Sequence, residues 1–389
     1  MKQAQPLTPP LAPADHPLVR TPEEWAEVLG AWGEPRYRGA QVFRWLHQRD
    51  VSDAAAMTDL PKSLRDRLAN EALAVPLEVA STHLSDDGTR KMLLAMRDGR
   101  TVESVLIPMR STSAVGTFSA AGDPDEAEEE ETSSWVTQCI SSQVGCAMGC
   151  VFCASGIAGL KRHMSAAEIV SQVILGRREA LSGERVRNVV FMGMGEPLAN
   201  YDALARALVL LTHPDGLGLS RRRVTVSTSG LVPEIDRLGR EFGGQVQLAV
   251  SLHAANDAQR SSIMPINKKY PLAALMDALR RYPLPKRRRI TIEYTLIAGV
   301  NASASDAAEL ARVLKGLPSK VNLIPMNAVE ENPLAAPDAS VVDAFQDVLR
   351  ARGVPSFVRR RKGDDIAAAC GQLALKGEKR KVRVALPIA

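Results

Sequence analysis

The chain has 389 residues, 45% of them hydrophobic and 24% charged, with a formal net charge of +5. That length suits two domains with a well-buried core, and the balance is that of a globular protein rather than a disordered or fibrous one. No apolar run is long enough to cross a bilayer, and five cysteines, three of them crowded together, do not make a disulfide framework.

The proline-rich start lacks the apolar core of a signal peptide, so residues 1–18 are expected to be a disordered leader and the protein to be cytoplasmic. Thr21-Pro22-Glu23-Glu24 reads as a capping box with proline at the first helical position, predicting a helix to about Leu29. A second helix begins near Gly39, where Val42, Phe43, Trp45 and Leu46 form one apolar face, and a third spans Lys62 to Leu73. Trp25, Trp32 and Trp45 fall in this unit and are read as its core. The period then changes to strands at Leu77–Leu84, Lys91–Met96 and Thr101–Ile107, joined by Asp87-Gly88 and Asp98-Gly99 turns. Residues 109–134 are small, polar and acidic, with almost nothing to bury, and are expected to be a flexible insertion.

Beyond Thr137 apolar runs alternate with amphipathic helices. A first strand near Val136–Ser141 is followed by Asn188–Met192, Val224–Val226, Val246–Val250, Ile290–Leu296 and Val321–Pro325. Ser165 to Glu168 is a capping box opening one intervening helix, and Ser303–Lys315 is another. The fold class expected is α/β, a partial parallel (β/α)6 barrel with its site at the carboxyl ends of the strands. The expected division is a leader (1–18), a helical accessory domain (19–75), a β-meander linker (76–108), the acidic insertion (109–134), the barrel core (135–363) and a carboxyl-terminal segment with a basic tail (364–389). Basic clusters recur at Lys161-Arg162, Arg221 to Arg223, Lys268-Lys269, Lys286 to Arg289, Arg359 to Lys362 and Lys379 to Lys381, which fits either a nucleic-acid partner or a solvated basic surface.

Cys146, Cys150 and Cys153 are spaced Cys-x3-Cys-x2-Cys, tighter than a zinc ribbon. Three thiolates on a four-iron cubane leave one iron open for a small chelating molecule. A zinc reading instead recruits His163 as a fourth ligand, and a structural metal in a non-catalytic RNA-binding protein is the rival from another class.

Cys-x3-Cys-x-Phe-Cys, with Phe152 before the last cysteine, resembles the radical S-adenosylmethionine (SAM) superfamily. Ser-Ser-Gln-Val-Gly-Cys146, Met192-Gly-Met-Gly-Glu-Pro197, Arg223 to Gly230, Ser251-Leu-His253, Met264 to Lys269, Asn322 to Pro325, Gly363 to Ile366 and Ala369 to Leu373 narrow the resemblance. Together, from about Gly33 to Gln372, they are similar to the dual-specificity RNA adenine-C2 methyltransferases of the RlmN type.

The resemblance implies a 4Fe-4S cluster on Cys146, Cys150 and Cys153, and SAM used twice per turnover. It implies SAM contacts at Gly195, Glu196, Ser227, Ser251, Leu252, His253 and Asn327. It makes Cys370 the cysteine that is methylated by displacement and then bonds adenine C2 as a methylene radical, Cys139 the one that forms a disulfide with it to release the product, and Glu103 a general base. The implied substrates are an adenine of the peptidyl-transferase region of 23S rRNA and the adenine 3′ of the anticodon in tRNA. The implied electron donor is a flavodoxin or ferredoxin, and the protein is expected to be a monomer without a membrane partner. Arg36, Arg38 and Arg44 of the accessory module are the expected phosphate contacts. The sister type that methylates carbon 8 of the same rRNA adenine is the nearest alternative, since Ala154 to Arg162 drifts toward its pattern.

Overall fold

The computed structural model describes residues 9–109, 134–329, 332–359 and 362–373. Order begins inside the stretch expected to be a disordered leader. Pro17–Val19 form a 3-10 turn capped by His16 Nδ1, which accepts from the Leu18 amide, and Leu18 is then 1% exposed in the main core. Burying an aliphatic side chain of this size contributes about 1.5–3 kcal/mol, enough to hold the approach to the first helix in place. Residues 1–8 lie outside the described residues.

Helices α1 (Pro22–Ala31), α2 (Arg38–His47) and α3 (Lys62–Leu68) follow. The capping box at Thr21 is present in both directions: Thr21 Oγ1 accepts from the Glu24 amide, and Glu24 Oε2 accepts from the Thr21 amide at 2.8 Å. Trp25 and Trp45 are buried and Trp32 half-buried against the same core. Helix α3 stops at Leu68, short of the expected Leu73, and Leu73 enters the core from a turn. The last turn tightens instead, the Asn70 and Glu71 amides donating to the Arg67 and Leu68 carbonyls.

Strands β1 (Leu77–Leu84), β2 (Arg90–Met96) and β3 (Thr101–Met109) form the antiparallel meander. It is not a separate linker. β3 pairs antiparallel with β4 (Trp135–Cys139), Val105 opposite Cys139, so meander and barrel share one sheet. Met109 closes β3, buried in the core, so the acidic insertion starts after it, and residues 110–133 lie outside the described residues.

After β4 a two-stranded ribbon, β5 (Gln143–Val144) with β6 (Arg162–His163), brackets the cysteine loop and the short helix α4 (Ala154–Ala158). The βα alternation then runs α5 (Ala166–Arg178), β7 (Arg185–Phe191), α6 (Tyr201–Leu211), β8 (Val224–Thr228), α7 (Val232–Phe242), β9 (Gln247–Ser251), α8 (Asp257–Ile263), α9 (Leu272–Arg281), β10 (Ile290–Leu296), α10 (Ala304–Val313), β11 (Ser319–Pro325), α11 (Ala339–Ala351) and β12 (Ser356–Val358). The sheet order is β1-β2-β3-β4-β7-β8-β9-β10-β11-β12, and every pair from β4 onward is parallel. The six expected barrel strands are all there, and β12 adds a seventh. Because the row is parallel, the carboxyl ends of these strands converge on one end of the molecule. Among the described residues no helix is long and apolar enough to cross a membrane.

Candidate active site at the carboxyl ends of the strands

The cysteine loop is held by backbone contacts. Gly145 has φ +75°, and a Cβ there would run into the Gly159 carbonyl, so the loop closes on itself only with glycine. The Val151 amide donates to the Ile263 carbonyl at 3.1 Å, and Asn332 Nδ2 donates to the Val151 carbonyl at 2.5 Å, tying the loop to the end of α8 and to the loop after β11. Cys146, Cys150 and Cys153 then face one cavity of about 160 Å³.

Burial pushes the Cys146 thiol up to about 12 and raises Cys150 and Cys153, with neighbouring thiols adding to the effect. Thiolates in so low a dielectric need cations among them, which a bound iron core supplies. Among the described residues no group of three His, Cys, Asp or Glu side chains is placed to hold one metal ion. His163 is exposed on β6, where Nδ1 meets Gln143 Nε2 at 3.1 Å.

The same cavity is lined by Gly195 and Glu196 after β7, Ser227 on β8, Ser251 and His253 at the end of β9, and Asn327 after β11. Gly195 has φ +102°, and a Cβ would stand 2.5 Å from Gln143 Cβ. Glu196 is buried, which raises its carboxyl, and is oriented by the Leu198 amide at 3.0 Å and the Ser229 amide at 2.7 Å. His253 has a left-handed backbone, φ 56°, of the strained kind that clusters at functional sites. Its Nδ1 accepts from the Thr295 amide at 2.9 Å, and burial lowers its pKa to about 3, leaving a neutral ring with the proton on Nε2. Leu252 does not line the cavity and is packed into the main core.

Cys139 and Cys370 share a second, smaller cavity of about 30 Å³ with Met192, Ile324 and Arg359. Cys370 lines both cavities, standing between the cysteine loop and Cys139. Burial and the nearby Cys370 thiol push Cys139 up to about 12. The Cys370 segment is pinned from three sides. The Gly371 and Leu373 carbonyls accept from the Ala154 amide at 2.8 Å and from Ser155 Oγ at 2.6 Å, just past Cys153. Asn327 Nδ2 donates to the Cys370 carbonyl at 2.9 Å. Asp365 accepts from Ser85 Oγ at 2.5 Å, joining the segment to the β1–β2 turn.

Glu103 borders neither cavity. It lies on β3 in an ion pair with Lys91 Nζ at 3.1 Å, and that ammonium also donates to the Ala367 carbonyl. Lys91 and the buried Glu293 were not singled out from sequence, though a carboxylate inside the apolar strand Ile290–Leu296 is a signal that could have found the second. Glu293 lines the larger cavity, with Oε1 on Asn322 at 3.0 Å and no hydrogen-bond partner for Oε2 among the described residues.

In the helical module Arg44 is half-exposed and pairs with Asp215 at 3.3 Å, linking α2 to the loop after α6. Arg38 lies 5.0 Å from the ring of Tyr37, which is 60% exposed, and Arg36 beside it is exposed.

A model of the ribosomal RNA large subunit methyltransferase N-terminal domain matches residues 21–74, and one of the radical SAM superfamily matches residues 140–311. A Sorangium cellulosum protein named dual-specificity RNA methyltransferase RlmN is 58% identical over 385 residues, which is 95% of this chain and 98% of that protein. One of the same name from Anaeromyxobacter dehalogenans is 48% identical over 364 residues, 91% and 90% of the two chains. The crystal structure of a radical SAM methyltransferase from Sphaerobacter thermophilus aligns with a TM-score of 0.81 at 45% identity, covering 94% of this chain and 99% of the other. A cavity lined by three thiols, at the carboxyl ends of the parallel strands, thus belongs to a member of the radical SAM superfamily, whose cofactors are a 4Fe-4S cluster and SAM, and within it of the RlmN family of RNA methyltransferases.

Proposed function

We propose that this chain methylates carbon 2 of adenine in the peptidyl-transferase loop of 23S rRNA and in tRNA 3′ of the anticodon, with Cys370 carrying the transferred carbon. The observation that carries this reading is the position of Cys370, open to the cysteine-loop cavity on one side and to Cys139 on the other. Adenine C2 is electron-poor and does not attack a sulfonium methyl, so the carbon has to arrive on a carrier. Cys370 displaces the methyl from one SAM and holds it as a thioether facing the larger cavity. Cys146, Cys150 and Cys153 would hold the cluster, which would supply the electron for splitting a second SAM and so for removing a hydrogen atom from the Cys370 thioether methyl. The carbon then bonds C2. The C2 proton leaves toward Glu103 by way of an intervening group, since Glu103 borders neither cavity; Cys139 then bonds the Cys370 sulfur as the carbon–sulfur bond breaks, the unpaired electron left on the new disulfide would return to the cluster, and the freed methylene carbon takes up a proton to become the methyl group.

Glu196, with Gly195, and Ser227, Ser251, His253 and Asn327 are the side chains and backbone placed to hold SAM. Asn327 Oδ1 has no hydrogen-bond partner among the described residues and lies on the cavity wall. Leu252 supports the site from the core side. Arg36 and Arg38, flanking exposed Tyr37, present cations and a ring face of the sort that binds an unpaired base. The protein is read as a cytoplasmic monomer that takes its electron from a flavodoxin or ferredoxin. The reading is tested by anaerobic reconstitution with iron and sulfide, reaction with both RNAs, and mass analysis of the nucleosides. The expected product is 2-methyladenosine with 5′-deoxyadenosine. 8-Methyladenosine, or no methylation by iron-loaded protein, overturns the proposal.

A further inference from the structure

Arg260 on α8 is 0% exposed, and among the described residues its guanidinium makes no hydrogen bond to a carboxylate. Nε donates to the Leu252 carbonyl at 3.1 Å, Nη1 to Asn267 Oδ1 at 2.9 Å, and Nη2 to the Ser229 carbonyl at 2.7 Å and the Ser251 carbonyl at 3.2 Å. A buried cation without a paired anion is costly, and apolar packing would serve mere stability as well. What the cation holds is specific. Ser251 ends β9 and Leu252 is one residue past it, as Ser229 is one residue past the end of β8. Ser229 carries the connection further, since its amide donates to Glu196 Oε2 at 2.7 Å while its carbonyl, on the next peptide group, accepts from Arg260.

One planar fork therefore joins the ends of β8 and β9 and, through the single residue Ser229, the Glu196 carboxylate after β7. The fork is itself fixed from behind. Asn267 Nδ2 donates to Asp257 Oδ1 at 2.9 Å and to Ser261 Oγ at 2.8 Å, and the Arg260 amide is held by the Asn256 carbonyl that opens α8. Arg260 does not line the cavity.

We propose that Arg260 is the positioning residue for SAM: its guanidinium sets the spacing of the β7, β8 and β9 ends that carry Glu196, Ser227, Ser251 and His253. This rests on the reading of those residues as the SAM site. Lysine keeps the charge but not the fork, and one ammonium cannot serve three carbonyls on two strand ends and the Asn267 side chain in fixed planar geometry.

The test compares the parent with Arg260→Lys and Asn267→Ala, each reconstituted and checked for iron content and melting temperature. SAM affinity is read by equilibrium dialysis, and KM is measured separately for SAM and for RNA. With iron content retained, Arg260→Lys is expected to weaken SAM binding at least tenfold and to raise the KM for SAM in step, with the KM for RNA unchanged. A loss of folded fraction would lower kcat alone. SAM affinity within twofold of the parent in iron-loaded Arg260→Lys, or equal losses for SAM and RNA, overturns the proposal. Should Arg260→Lys fail to fold, Asn267→Ala decides: a threefold or greater loss of SAM affinity supports it and unchanged affinity overturns it. A parent enzyme that binds no SAM refutes the site reading itself, and this inference with it.

Discussion

At the scale of single residues the chemistry depends on which thiol faces which cavity. Cys139 borders the smaller cavity alone, whereas Cys370 borders both. Replacing Cys139 by alanine is therefore expected to stop the reaction after the carbon has bonded to the base. The RNA then remains covalently attached, and a denaturing gel should show an enzyme–RNA adduct that Cys370→Ala does not form. Gly195→Ala tests the turn after β7. A side chain at φ +102° with Gln143 at 2.5 Å combines backbone strain and overpacking, each of about 1–3 kcal/mol, so both melting temperature and SAM retention should fall. The three crowded cysteines and the strand-end residues were legible from their types and spacing, whereas the roles of Cys139 and Cys370 were given by resemblance alone. Leu252 was grouped with its neighbours Ser251 and His253, yet side chains on an extended segment alternate, so the middle residue of the three turns to the core. Glu103 was legible as a residue but not as the partner of Lys91, because that ion pair joins neighbouring strands.

At the scale of elements, α2 shows how burial sets a proton's affinity. His47 is fully buried at the end of α2, with Nε2 on the Leu18 carbonyl at 2.8 Å, and burial lowers its pKa to about 4. The folded state thus keeps the ring neutral while the unfolded chain takes up a proton near pH 6.5. The stability it contributes is complete above pH 6.5 and is lost as the pH falls toward 4, by up to about 3 kcal/mol. Denaturant unfolding across that range should show the slope, and His47→Asn should flatten it. Boundaries were legible where a local signal exists, as at the Thr21, Ser165 and Ser303 caps, all of which form. β12 was not foreseen, because three residues between a helix and a basic run carry no periodicity and owe their strand form to pairing with β11.

At the scale of the whole molecule, the helical module and the barrel are joined by a buried arginine. Arg206 on α6 grips both Glu24 oxygens at 2.8 Å and the carbonyls of Val19 and Ala12, while Arg178 and Asp50 add a bidentate pair at 2.6 Å nearer the surface. Arg206→Met leaves the Val19 and Ala12 carbonyls without this donor and Glu24 with the Thr21 amide but no hydrogen-bonded cation. The expected cost is about 3 kcal/mol, the low end for a broken buried pair because Glu24 is partly exposed. Limited proteolysis should then cut earlier near residue 20 than in the parent. Local order in the chain determined the three-helix start, the meander, the βα alternation and the crowded cysteines, since each is written in periodicity, caps or spacing within a few residues. Tertiary structure alone decided that Leu18 belongs to the core, that the meander extends the barrel sheet, that Arg44 is paired to Asp215, and that Cys370 stands between Cys139 and a loop more than two hundred residues before it. Each of those depends on partners distant in the chain, and contact between distant segments follows from how the sheet closes around its core, which no local pattern encodes.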